Sequence, residues 1–206
     1  MIKLKKILED KIIICNNCNH SWKLSNGGKD IYKCHKCGNI VKQISKYKIY
    51  CDLDSVLTDF TKAFQEISGI YNLMPHEFEK KYGENKFYDL INKKGLKFWT
   101  EMPWTKDGKE LWNYLINSGY EITVLSAPLR KYTKNSIQGK KIWCEKNLGP
   151  EINAIVIENK YEYASENNIL IDDLEKNIVP WREKNGIGIL HKNTKDTIKE
   201  LKRLGI

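Results

Sequence analysis

Two carboxylates, Asp52 and Asp54, stand two residues apart at the end of an apolar run, Ile49-Tyr-Cys-Asp-Leu-Asp54. If the run is a strand, alternation sends both to the same side. Unpaired there, they are costly to bury and repel each other, so the spacing calls for a cation between them. Three further apolar runs end on groups of matching chemistry. Thr123-Val-Leu-Ser126 ends on a hydroxyl suited to an oxyanion, the run 154–157 is followed by Glu158, Asn159 and Lys160, and Ile169-Leu-Ile-Asp172-Asp173 ends on two more carboxylates. Carboxylates suit a hard metal ion, and lysines suit negative charge. Each group alone has a plain structural use, since Asp and Ser commonly end strands or cap helices. The ordered set of four is what points to a site.

A second constellation is Cys15-x2-Cys18 separated by fifteen residues from Cys34-x2-Cys37. Two such knuckles turn four sulfurs toward one point, which suits tetrahedral Zn²⁺. Residues 25–28 (Ser-Asn-Gly-Gly) are placed to turn a hairpin between 22–24 and 30–32, and Gly38 offers permissive backbone after the second pair. The pattern resembles a zinc ribbon over residues 11–42. Four ligands close the site, so the metal is expected to be structural, and so short a segment has too little core to fold without it. With four cysteines available, His20 and His35 are read as surface residues. Trp22 and Tyr32 are read as packing the hairpin, with base stacking as the alternative.

The elements that must hold these groups follow from the rest of the chain. Apolar runs at 49–53, 122–125, 154–157, 169–171 and 187–190 read as buried strands. They alternate with helical stretches at 59–67, 109–117, 137–147, 175–184 and 194–204. Gly119 and Gly149 fall where helices are expected to stop. Such alternation predicts an α/β fold, a parallel sheet with helices on both faces, in which ligands bind beyond the carboxyl ends of the strands. Residues 69–103 break the alternation and carry Tyr71, Phe78, Tyr82, Phe87, Tyr88, Phe98 and Trp99, a composition suited to a cap. The expected domains are 1–46, a ribbon with a basic leading segment, and 47–206, the α/β domain.

Composition agrees with a soluble globular protein. The 206 residues are 41% hydrophobic and 30% charged. No run approaches the ~20 apolar residues of a membrane span, and the first fourteen residues are too interrupted by charge for a signal peptide. With unpaired cysteines this predicts a reducing, cytoplasmic setting. Residues 1–48 hold eleven lysines against three acidic residues, a net +8 of the total +9. Such a basic module is either an electrostatic foot for nucleic acid or the product of a lysine-rich composition.

From about residue 47 to 206 the chain resembles the haloacid dehalogenase (HAD) superfamily, and within it the 5'(3')-deoxyribonucleotidases and their phage and bacterial relatives. The residues that carry the resemblance are Asp52-Leu-Asp54-Ser-Val-Leu-Thr-Asp59-Phe60, Leu125-Ser126-Ala-Pro, Lys140-Lys-Ile-Trp143 and Leu170-Ile-Asp172-Asp173. Ser55 stands where the first motif usually has glycine. The resemblance implies a Rossmann-like sheet and a Mg²⁺-dependent phosphomonoesterase acting on (deoxy)nucleoside monophosphates. Asp52 would be the nucleophile that becomes an aspartyl-phosphate and Asp54 the acid and base. Mg²⁺ would bind Asp52, the backbone carbonyl of Asp54, and Asp172 or Asp173. Ser126 would hold a phosphoryl oxygen, and Lys140 and Lys160 rank equally as the lysine that offsets its charge, Lys141 being the surface neighbour. Phe60, Phe98 and Trp99 are candidates for a wall against the base, with core packing as the alternative. Cys51 and Cys144 are read as small buried hydrophobes. Two competing readings are a phosphatase acting on nucleic-acid ends, which the basic ribbon favours, and a non-catalytic nucleic-acid-binding adaptor on the same fold.

Overall fold

Strands that are apolar on both sides need helices over both faces, and residues 47–206 meet that need. In the computed structural model, which describes residues 12–15, 17–23, 33–39 and 47–206, the chain divides into two units, Met1–Lys46 and Tyr47–Ile206. Each is taken by itself.

In the first unit, β1 (Ile12–Ile14) pairs antiparallel with β2 (Ser21–Lys23), with Ile14 opposite Ser21. This short hairpin brackets the first cysteine pair. The expected tip at 25–28, Tyr32 and most of the basic leading segment lie outside the described residues.

The second unit is a five-stranded parallel sheet of β3 (Lys48–Cys51), β4 (Glu121–Ser126), β5 (Asn153–Val156), β6 (Asn168–Asp172) and β7 (Ile187–Leu190), in the order β5-β4-β3-β6-β7. Between β3 and β4 run α1 (Phe60–Ser68), α2 (Pro75–Tyr82), α3 (Glu84–Lys94), α4 (Leu96–Thr100) and α5 (Gly108–Asn117). Then come α6 (Thr133–Leu148), α7 (Glu175–Glu183) and α8 (Thr194–Arg203). The expected α/β architecture is present. Residues 69–103 form a helical insert of α2, α3 and α4. α6 starts four residues ahead of the expected 137 because its first turn, Thr133-Lys-Asn-Ser136, is polar and shows no apolar period.

Strand alternation builds two cores. Ile49 and Cys51 of β3, Val124 of β4 and Ile169 and Ile171 of β6 face one side, with Leu111 and Leu115 of α5 and Leu201 of α8. Tyr50, Leu125 and Leu170 face the other, against Ile178 and Trp181 of α7. The chain winds outward from β3 through β4 to β5, then returns across to β6 on β3's other side. The crevice at that reversal, beyond the carboxyl ends of β3 and β6, is where an open α/β sheet receives a ligand. No helix among the described residues is long and apolar enough to cross a membrane.

Candidate functional site

β3 ends at Cys51, so Asp52 to Asp59 form a loop rather than the last strand turn expected from the apolar run. The loop is closed on itself by Leu57 N and Thr58 N, both donating to Leu53 O at 2.8 Å, and by Ser55 N donating to Thr58 O at 2.7 Å. Ser55 holds φ at +62°, in the left-handed region. A glycine would be free of strain there, so the serine carries a backbone cost. The exit of the helical insert ties the loop down, with Asp59 N donating to Pro103 O (2.8 Å) and Thr105 N to Leu57 O (2.9 Å). Trp143 of α6 donates from Nε1 to Met102 O at 2.8 Å and packs on Trp104 with ring centroids 4.9 Å apart. The helix that carries Lys140 is thereby fixed to the insert that covers the site. Gly139 permits this approach, since a Cβ there would lie 2.3 Å from Trp99 Cβ.

The two lysines divide the acids between them. Lys160, on a single 3-10 turn (Lys160–Tyr163) after β5, is 2% exposed. Its Nζ lies 2.7 Å from Asp52 Oδ1 and 2.6 Å from Asp172 Oδ2. Burial works against its charge, but Asp52 and Asp172 outweigh it and hold the ammonium above its ordinary range. Lys140, 1% exposed, lies 2.6 Å from Asp54 Oδ2, donates to Ser126 Oγ at 3.1 Å and to Ala127 O, and sits 5.3 Å from the Trp99 ring centroid. Lys141 is exposed. The lysines expected as alternatives therefore hold different acids.

Asp172 has no exposure, and four contacts engage its two oxygens. Oδ1 accepts from Leu174 N and Asn177 Nδ2, each at 2.9 Å, and Oδ2 accepts from Asn177 Nδ2 (3.0 Å) and Lys160. Burial and the neighbouring Asp52 push its carboxyl up, against the pull of Lys160 and Asn177. Asp173 makes no ion pair among the described residues. Burial, then Asp52 and Asp172, push it up to about 7. Asp52 Oδ1 is buried, and its close partner is the Lys160 ammonium at 2.7 Å, which it shares with Asp172. Oxygens of Asp52, Asp172 and Asp173 all lie within 4.8 Å of one another. Three carboxylates around one ammonium leave an excess of negative charge, which fits a hard divalent cation. Because Asp172 is already satisfied by protein donors, Asp52 and Asp173 are the side chains left to take one. The Asp54 carboxylate lies outside this cluster, so its expected share in the metal site rests on its backbone carbonyl.

Asp52, Asp54, Ser126, Lys140, Lys160 and Asp173 line one cavity of about 560 Å³, with Phe60, Trp99 and Tyr88 on its wall, and Asp172 lies behind the lining. Phe98 does not line it. It is buried edge-on against Phe60 and Trp99, at centroid distances of 5.4 and 4.9 Å, and so braces the wall from behind, which corrects the expectation of a base contact. Cys51 and Cys144 are buried and outside the lining, and burial pushes the Cys144 thiol up to about 12. Sequence reasoning passed over Asn177, Thr58, Arg130 and Lys176. Asn177 lies five residues past Asp172 on the first turn of α7, a spacing that only the folded loop makes meaningful.

In the first unit the cysteines form a separate cluster. Cys15 and Cys37 Sγ are 3.5 Å apart, as are Cys18 and Cys34, and all four lie within 4.8 Å. Tetrahedral Zn²⁺ with bonds of about 2.3 Å needs sulfurs about 3.8 Å apart, so the cluster fits that ion. The two knuckles repeat one design. Cys15 N donates to His20 O and Asn19 N to Cys15 O, while Cys34 N donates to Asn39 O and Gly38 N to Cys34 O, all at 2.8 Å. The fourth residue after each leading cysteine is left-handed, Asn19 at φ +54° and Gly38 at +73°. Burial opposes ionisation of Cys15, but backbone donors at Asn17 and Cys18 bring its thiol down to about 6. Trp22 is 8% exposed and stacked between His20 and His35, each at 5.9 Å, so it packs the unit instead of offering a face to a base.

No protein-family model matches the sequence, and no curated protein matches it. Solved structures of similar shape include a hydrolase from Streptococcus pneumoniae, 12% identical, with a TM-score of 0.48 over 77% of this chain and 100% of that one. A HAD-family hydrolase from Deinococcus radiodurans with bound phosphate and sodium is 12% identical, with a TM-score of 0.43 over 71% of this chain and 81% of that one. An L-2-haloacid dehalogenase from Xanthobacter autotrophicus is 7% identical, with a TM-score of 0.43 over 68% and 75%.

Proposed function

We propose that residues 47–206 form a Mg²⁺-dependent phosphomonoesterase that hydrolyses (deoxy)nucleoside monophosphates through an aspartyl-phosphate. The observation that carries this reading is the cluster of Asp52, Asp172 and Asp173 oxygens within 4.8 Å of one another, with Asp52 lining the cavity beside Asp54, Ser126 and two buried lysines. Asp52 attacks phosphorus, forming an O–P bond as the bond to the leaving alkoxide breaks, and Asp54 gives that alkoxide its proton. Asp54 then takes a proton from water, the water oxygen attacks the phosphoryl group, and phosphate leaves with Asp52 restored. The travelling proton belongs on Asp54 Oδ1. Lys140 occupies Oδ2, whereas Thr58 Oγ1, 3.3 Å from Oδ1, can spend its one proton on Leu53 O at 3.1 Å and accept from a protonated Oδ1.

Lys160 balances the charge of Asp52 and Asp172, and Lys140 fixes Asp54 against Ser126, whose hydroxyl is available to a phosphoryl oxygen. Held by Asp52 and Asp173, Mg²⁺ would supply charge neutralisation for the phosphoryl oxygens. Phe60, half-buried on the cavity wall, offers an aromatic face to a base. Zn²⁺ on the four cysteines would be structural.

The test is phosphate release with Mg²⁺ from a panel of ribo- and deoxynucleoside monophosphates. Wild type is expected to turn them over, and Asp52→Asn to lose activity by about 10³-fold or more with its fold intact. Undiminished release by the variant would remove the covalent step, and no release from any mononucleotide by wild type would remove the substrate class.

A further inference from the structure

Two cations that line the cavity have no part in the chemistry above, Arg130 and Lys176. Arg130 opens the 3-10 turn (Arg130–Tyr132) that follows β4, and Lys176 lies on the first turn of α7, after β6. β4 and β6 flank β3 in the sheet, so the cations stand on either side of the strand that delivers Asp52 and Asp54. Lys176 occupies the end of a helix where the dipole disfavours positive charge, and it forms no ion pair among the described residues. Arg130 meets Glu158 at 3.3 Å with side chains 82% and 65% exposed. So exposed a pair contributes little, and a phosphate is a better, bidentate partner for a guanidinium. Lys140 and Lys160 cannot take on further anions in the same way, because each is already committed to buried carboxylates.

We infer that Arg130 and Lys176 form a subsite for a second phosphate of the substrate. The favoured substrate is then a nucleotide with a phosphate on both sides of its sugar, either a free 3',5'-bisphosphate or the 5'-terminal nucleotide of a strand. This rests on the phosphomonoesterase reading of the same cavity, so the test separates the two.

Binding is measured by calorimetry on the Asp52→Asn protein with Mg²⁺, using a deoxynucleoside 5'-monophosphate, its 3',5'-bisphosphate and a 5'-phosphorylated dinucleotide. The same ligands are then compared with Arg130→Gln and Lys176→Met added. At least one of the two ligands with a second phosphate is expected to bind about tenfold tighter than the monophosphate, with the advantage falling to about twofold once both cations are removed. Whichever of the two gains more identifies the source of the second phosphate. Equal binding of all three, or a preference that survives loss of both cations, overturns the subsite. Wild-type kcat/KM for the same ligands supplies the comparison should Asp52→Asn fold poorly. Preferential binding without phosphate release would keep the subsite and remove the esterase, whereas release without preference would do the reverse.

Discussion

The two units place their functional groups by opposite routes. In the cysteine unit the described core is little more than Cys15, Cys34 and Trp22, so the ligands that would hold a metal are also the core. In the α/β unit the strands and helices bury two apolar cores first, and the acids stand at their edge, on a loop pinned by backbone bonds to the insert's exit. One site makes its fold, and the other is made by its fold. Removing a site should therefore cost structure in the first unit and chemistry in the second.

The largest expected effect lies in the cysteine unit. Structural zinc in small domains contributes about 10 kcal/mol or more, so Cys15→Ser with Cys34→Ser should abolish both the bound zinc and the amide dispersion of residues 17–23 and 33–39. Elemental analysis and NMR would check it, and an unchanged spectrum would mean the metal is not what folds the unit. A strong chelator should do the same while also stopping hydrolysis, and Mg²⁺ returned alone should restore only the hydrolysis.

Next comes the lysine shared by two acids. Lys160→Met leaves Asp52 and Asp172 facing each other without their cation, and should lower kcat by about 10²-fold or more. It should also destabilise the α/β unit by about 3 kcal/mol, read from denaturant unfolding. If kcat falls with no loss of stability, the ion pairs matter only to the chemistry.

Smaller effects sharpen the contrast. Ser55→Gly should relieve the left-handed strain and stabilise the unit by roughly 1 kcal/mol; destabilisation would show that the hydroxyl, and not the backbone angle, matters there. His191 is buried, its Nδ1 2.8 Å from Thr197 Oγ1 and its backbone N–H on Asp172 O. Burial lowers its pKa, opposed by Asp107 and Asp52. The unfolded chain therefore binds a proton more readily than the folded one, so this contribution is full above about pH 6.5 and lost as pH falls below it. Stability between pH 7.5 and 5.5 should fall less in His191→Gln than in wild type, and equal losses would mean that other groups set the acid sensitivity.

The strands and helices were legible because burial on both faces writes continuous apolar runs, and amphipathic faces write a period. The strand-end acids were legible for the same reason, since polar residues stand out at the end of an apolar run. What escaped were pairings made by folding. No spacing marks Asn177 as the amide on Asp172, or Thr58 as the hydroxyl on Asp54. Nor could the sequence separate Phe98 from Trp99. Neighbours on a helix point about 100° apart, so only one of the pair faces the cavity, and choosing it requires knowing where α4 packs. Lys140 and Lys160 looked interchangeable until each was seen to hold a different acid.

The account turns on Asp52 as the atom that receives the phosphoryl group. Mixing the protein with substrate and Mg²⁺, quenching in acid within the first turnover and sequencing the labelled peptide by mass spectrometry should place a phosphoryl group on Asp52, absent from Asp52→Asn. Turnover accompanied by a phosphoryl group on another residue, or undiminished turnover in Asp52→Asn, would contradict it.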